Sequence, residues 1–189
     1  MKKIVLAALL AALVSAGAFA HHPDGWGVGG GFQFGHSWDD RISTRYRANS
    51  SLTLFLKAPT IPIYWGFSAS IFNWEFGSDH TRFGFRVTGD YFLIDNLIVP
   101  EIGLGWFLGI GGYFSYDRRS WDSGDVSFNL IDFGARLPVG ISWIPLDFLE
   151  VFASIAPSLG FYWHNRSPGS DRTGIGGGWQ GDLGVRFWF

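Results

Sequence analysis

From Trp26 to the last residue, apolar positions recur at every second residue rather than every 3.6, which is the period of a strand with two unlike faces. Eight strands are expected. The first, about 25–37, sets Trp26, Val28, Phe32 and Phe34 against Gly27, Gly29, Gly31 and Gln33. The second, about 48–58, sets Leu52, Leu54, Leu56 and Ala58 against Thr53 and Lys57, and a turn bracketed by Pro59 and Pro62 follows. The third, about 62–73, carries Ile63, Trp65, Phe67, Ala69 and Ile71 opposite Gly66, Ser68 and Ser70. The fourth, about 81–93, carries Phe83, Phe85, Val87 and Tyr91 opposite Gly84, Arg86, Thr88 and Asp90.

Asp95-Asn96 reads as the next turn. The fifth strand, about 97–114, has Ile98, Ile102, Leu104, Trp106, Leu108 and Ile110 on one face, with Glu101, Gly103, Gly105, Gly109 and Gly111 on the other. The sixth, about 126–142, sets Ile131, Phe133, Ala135, Leu137, Val139 and Ile141 against Asp132, Gly134 and Arg136. The seventh, about 149–163, sets Leu149, Val151, Ala153, Ile155, Leu159 and Trp163 against Glu150, Ser154, Ser158 and Tyr162. The eighth, about 176–189, ends on Leu183, Val185, Phe187 and Phe189, alternating with Asp182, Gly184, Arg186 and Trp188. Pro100 and Pro138 fall near strand ends, and Pro157 predicts a bulge or a shifted boundary in the seventh strand.

Two faces this unlike must be told apart by what surrounds them. An eight-stranded barrel has an interior only wide enough for side chains to fill. Glycine and small polar residues fit that space, whereas Trp, Phe and Leu from eight strands do not. The large apolar face is therefore expected outside, against lipid, where a sheet must close because no water satisfies an open edge. Trp65, Tyr91, Trp163 and Trp179 stand near strand ends, the place of interfacial girdles. The glycines continue at strand spacing with no helix pattern after them, so a phosphate-cradling loop is not expected.

Composition agrees. Nineteen Phe, ten Trp and 27 Gly favour strands and close packing over helices. The first 20 residues are set apart: Lys2 and Lys3, an apolar run from Ile4 to Val14, then Ala18-Phe19-Ala20 form a secretory signal peptide with its cleavage site. Residues 21–189 then make one domain. Without Lys2 and Lys3 the 14 basic residues become 12, against 16 acidic, a formal charge of −4 that predicts no nucleic-acid footprint. There is no cysteine, so the fold holds without disulfides.

The inward faces carry charge. Lys57, Arg86, Asp90, Glu101, Asp132, Arg136, Glu150, Asp182 and Arg186 all point to the lumen by their place in the alternation. Four basic against five acidic groups predict a salt-bridge network, because a buried charge needs a partner. Asp90, Glu101, Glu150 and Arg186 fall near the same strand ends, and Arg136 more loosely so. A plug is expected there, with Arg136 and Arg186 facing Glu101 and Glu150. Connections near 59–62, 94–96 and 143–148 are short or apolar. Those near 38–47, 74–80, 115–125 and 164–175 are polar and mostly longer, the asymmetry of periplasmic turns and extracellular loops. Both termini are then expected in the periplasm. Arg41, Arg45, Arg47, Arg118, Arg119, Arg166 and Arg172 are expected in the surface loops.

The terminal Leu183-Val185-Phe187-Phe189 alternation, the Ala18-Phe19-Ala20 processing site and the charged interior resemble small eight-stranded outer-membrane barrels of the OmpA transmembrane-domain and OmpX type. Arg136 to Trp143 and Glu150 to Pro157 look like a paired-strand motif of uncharacterised bacterial barrels of spirochaetal type. The likeness covers the whole chain after residue 20 as a pattern. It implies an outer-membrane location, the final four apolar residues as an assembly signal for the barrel-assembly machinery, and partners among outer-membrane lipids and a lipopolysaccharide-like glycolipid. A peptidoglycan-binding domain after Phe189, as in full-length OmpA, is not expected, and neither is a cell-wall tether.

The leading expectation is a non-enzymatic monomer without cofactor or metal, acting in membrane integrity or adhesion to a host or surface ligand. A narrow pore or hydrophobic-ligand conduit is the alternative. A lipid A-modifying enzyme is a further one, but neither His36-Ser37 nor His164 with Ser167 matches the His-x-Ser spacing of the deacylases, and His80 has no better case. His21 and His22 are expected to form a disordered amino end rather than a metal site.

Overall fold

The computed structural model describes residues 22–39, 47–70, 80–121, 127–167, 169 and 171–189. The proposed signal peptide, His21, Arg41 and Arg45 lie outside them. Among the described residues there are nine strands: β1 Gly27–Asp39, β2 Arg47–Ala58, β3 Ile61–Ser70, β4 His80–Val99, β5 Leu104–Trp121, β6 Ser127–Arg136, β7 Val139–Leu146, β8 Leu149–Ser167 and β9 Arg172–Trp188. Every pairing is antiparallel; chain neighbours pair except β6 with β7, β5 also pairs with β7 and β6 with β8, and β1 pairs with β9, so the sheet closes on itself.

The ring has eight staves, because β6 and β7 are one stave with a gap. β5 and β8 each pair with both halves, and the register is the same on either side: Arg136 faces Ser158 and Val139 faces Ile155. Two prolines make the gap. Leu137 N donates to Pro157 O at 3.0 Å, and Gly109 N donates to Pro138 O at 2.8 Å. The return bond is missing in each case, because proline has no N–H. The bulge expected at Pro157 is thus not found. β8 runs through it in register, and the interruption falls across the ladder at Leu137–Pro138.

The faces fall as the alternation requires. Trp26, Phe32, Phe67, Phe133, Leu159 and Leu183 are among the large apolar residues exposed on the outside. Gln33, Thr53, Ser68, Thr88, Arg136 and Asp182 are buried within. The closing seam between β1 and β9 depends on glycine. A methyl group at Gly29 or Gly31 would run into the carbonyl oxygens of Val185 and Leu183 on the neighbouring strand.

Two sequence boundaries move. The expected turn at Asp95-Asn96 lies inside β4, which continues to Val99; the chain turns instead at a 3-10 segment, Pro100–Ile102. Gly103 ends that segment at φ 68°, a conformation glycine adopts freely. Glu101 is therefore exposed on a turn and is not a lumen residue. At the opposite end the strands continue through segments read as loops. Arg47, Arg118, Arg119, Arg166 and Arg172 all stand in strands, because backbone pairing persists where the apolar alternation has stopped. Arg118, for instance, faces Asn129.

Candidate functional site in the lumen

Inside the ring the polar side chains form two layers. The middle layer centres on Arg136, whose side chain is fully buried. Its Nη2 donates to Asp182 Oδ2 at 2.7 Å and its Nη1 to Gln180 Oε1 at 2.9 Å. Its Nε lies 3.2 Å from Asp90 Oδ1, an ion pair without hydrogen-bond alignment. Gln33 Nε2 donates to Asp182 Oδ1 at 2.8 Å, and Gln33 Oε1 accepts from Ser68 at 3.1 Å and from Arg86 Nη1 at 3.4 Å. Ser154 adds a longer bond to Asp182, 3.3 Å. Farther from the termini, Tyr113 donates its hydroxyl hydrogen to Asp132 at 2.9 Å. β1, β3, β4, β6, β8 and β9 are thereby tied together across the lumen.

The second layer lies at the end where the chain termini sit. Glu150, on β8, has no exposed surface. Its Oε2 accepts from Arg186 Nη1 at 2.7 Å and from Trp188 Nε1 at 3.0 Å. The Arg186 guanidinium sits over the rings of Phe152 at 4.6 Å, Tyr64 at 5.0 Å and Trp188 at 5.4 Å. Cations over ring faces gain most where water is excluded. Lys57 donates to Ala58 O at 2.7 Å and lies 5.7 Å above the Tyr64 ring.

A residue assigned to a disordered end completes this layer. His22 is buried, with 1% of its side chain exposed. Its Nδ1 lies 2.7 Å from Asp95 Oδ1 and its Nε2 2.9 Å from Glu150 Oε1. Its backbone N–H donates to Asp95 Oδ2 at 3.1 Å. Asp95 reaches it because the ladder shifts register between Phe92 and Ile94: the extra residue reverses which positions face inward, and Asp95 comes to stand opposite the lumen residue Phe107.

The expected network thus divides. Arg186 and Glu150 meet. Arg136 meets Asp182 and Asp90 rather than Glu101 or Glu150. Asp95 and His22 were not expected in the lumen at all. No local sequence signal set them apart: the inward aromatics around the site, Tyr64, Phe92, Phe107 and Trp188, are matched elsewhere on the inner face by Phe55, Tyr113, Phe152 and Tyr162. Of the residues weighed for catalysis, His164 is buried on the inner face and His36 is half-buried on the outer one. The side chains of Ser37, His80 and Ser167 lie outside the described set. Between the two layers is a cavity of about 20 Å³, lined by Asp90, Asp182, Glu150, Arg186, Phe107 and Pro138 among others; it has room for about one water molecule.

A closed antiparallel ring of eight staves, apolar outside and charged within, defines the small membrane-type β-barrel. No family model and no curated protein matches the chain. Among solved structures it is similar to Neisserial surface protein A, NspA, at 11% identity over 87% of this chain and 97% of that one, with a TM-score of 0.55. It is also similar to Ail, the attachment invasion locus protein of Yersinia pestis, at 13% identity over 87% and 99%, with a TM-score of 0.51. The resemblance expected from the sequence, to small eight-stranded outer-membrane barrels, holds at the level of the fold.

Proposed function

We propose that this chain is a non-enzymatic, monomeric integral protein of the outer membrane, with a lumen closed by charge, acting in membrane integrity or surface interaction. One observation carries the reading. A belt of exposed Trp, Phe, Leu and Ile runs around a closed sheet whose inside is filled by paired charges. Such a surface is unstable in water and suited to lipid, and charges paired across the lumen support a closed interior over an open channel. The name of Ail, an attachment protein, is consistent with a surface role.

In this reading the signal peptide is cut after Ala20, and both termini face the periplasm. Leu183, Val185, Phe187 and Phe189 present the assembly signal on the outer face of β9. The far ends of β5, β8 and β9 then stand beyond the bilayer with Arg118, Arg119, Arg166 and Arg172. Arginine there forms charge-assisted bonds with phosphates of a lipopolysaccharide-like glycolipid or with a host ligand.

The test is a heat-modifiability gel on the outer-membrane fraction, followed by protease treatment of intact cells. The expected result is a band that migrates faster unboiled than boiled, with cleavage confined to the far-end connections. Recovery in the soluble periplasm, or cleavage at the Pro100–Gly103 turn in intact cells, would overturn the reading.

A further inference from the structure

His22 belongs to no strand, yet its ring is buried among side chains of four strands. Its ring is 5.4 Å from that of Tyr64 on β3, 5.4 Å from Phe92 on β4, 5.8 Å from Phe107 on β5 and 6.2 Å from Trp188 on β9. Its two nitrogens bridge Asp95 on β4 and Glu150 on β8, staves that do not pair with each other. The chain then leaves the lumen through Pro23, Asp24 and Gly25 and reaches the sheet at Trp26, whose N–H donates to Phe189 O at 3.1 Å.

The chemistry of this seat is specific. An ionised carboxylate only accepts hydrogen bonds, so with both carboxylates ionised each ring nitrogen must carry hydrogen. That species is the imidazolium cation. Glu150 is held ionised by Arg186 and Trp188 on its other oxygen. Asp95 uses its second oxygen to accept the His22 backbone N–H. Around these bonds the four aromatic rings exclude water and favour a flat cation. The other charged and titratable groups near the seat include Arg186 on β9, Tyr64 on β3, Lys57 on β2 and Asp24 on the connecting segment, which acts on both Tyr64 and Lys57. Burial by itself would lower the His22 pKa, but the Glu150 and Asp95 carboxylates outweigh it and hold the imidazole above its ordinary value. Among the described residues no group of three or more acidic, His or Cys side chains is arranged to hold a metal ion, and both His22 nitrogens are already engaged.

We propose that the termini end of the lumen is a binding site for an imidazolium group, filled in this chain by its own amino-terminal segment as a tethered plug. The site is built by the barrel and not by the plug. Asp95, Glu150 and the aromatic cage all belong to strands, so they remain when His22 is removed. A vacated seat then accepts the same cation from solution.

The experiment uses residues 21–189 folded in detergent, with thermal unfolding followed by heat-modifiability and imidazole at pH 6 as the probe. His22→Ala is expected to unfold at lower temperature than wild type. Imidazole at about ten times its dissociation constant is expected to restore about 3 °C to the variant and nothing to wild type, whose seat is filled. Equal response of the two proteins to imidazole would overturn the proposal. A second measurement stands apart from the variant's folding: the ¹⁵N spectrum of wild-type His22. Two bonded ring N–H groups, slow to exchange and reduced by Asp95→Asn, are expected. A freely exchanging ring with an ordinary pKa would overturn the proposal on its own.

Discussion

The two charged layers of the lumen do the same electrostatic work by different means. The middle layer is built wholly from strand residues, and its central cation, Arg136, is paired by side chains from β4 and β9 in the same plane. The termini-end layer has two anions from strands, Asp95 and Glu150, and one of its two central cations comes from a segment outside the sheet. A charge fixed by the ladder cannot leave without the sheet opening. A charge on a tether can. The difference teaches that pairing inside a barrel comes in a permanent form and an exchangeable one, and that a salt bridge by itself does not say which.

The largest expected effect separates the layers by what each retains after losing an arginine. Arg136→Ala leaves Asp182 and Asp90 facing one another with no cation in the layer at bonding distance. A loss of about 3–5 kcal/mol is expected, the cost of breaking a buried pair from one side. Arg186→Ala leaves Glu150 with His22 and Trp188, so a smaller loss is expected, about 1.5–3 kcal/mol. Urea unfolding in lipid vesicles measures both. Equal losses would erase the distinction between carboxylates bonded to one cation, Arg136, and a carboxylate bonded to two, Glu150. The double variant His22→Ala with Arg186→Ala is expected to lose more than the two singles together, since each cation covers for the other at Glu150.

The next effect depends on pH. A group whose folded pKa is raised contributes stability that is complete below its unfolded value and disappears as pH rises through the folded one. For His22 the unfolded value is 6.5 and the folded one lies above it. His22→Ala is therefore expected to be less stable than wild type by about 1–2 kcal/mol near pH 5, with the gap closing as the solution becomes alkaline. A gap independent of pH would mean that His22 contributes packing and not charge. The smallest effect belongs to Glu101. Placed on the Pro100–Ile102 turn and exposed, Glu101→Gln is expected to leave the unfolding curve unchanged, in contrast to Glu150→Gln at a fully buried site.

Much of this molecule was legible before its structure. A period of two assigns a face to every residue of a strand, so the inward placement of Arg136, Asp182, Arg186 and Glu150 followed from parity alone. Parity fails where the ladder slips. The register shifts after Phe92 and Leu97 carried the turn from Asp95-Asn96 to Pro100–Gly103, moving Asp95 into the lumen and Glu101 out of it. Apolar residues Ile98 and Ile102 mimic a strand's outer face because they stand exposed on either side of the turn. The prolines misled differently. Pro157 removes one hydrogen bond from its ladder but keeps its carbonyl as an acceptor, so the strand survives it. His22 was illegible for another reason: no local pattern marks a residue whose partners stand 73 and 128 positions away.

The bridge at His22 also fixes an order of events. Asp95 and Glu150 come from staves that never pair, and they face one another only across a lumen that has already been enclosed. Single hairpins of this chain hold half of the seat, and an open sheet holds two halves pointing apart. The imidazole therefore has nowhere to go until β1 has met β9. The complete seat exists only in the closed ring, so a probe on that ring is expected to report barrel closure.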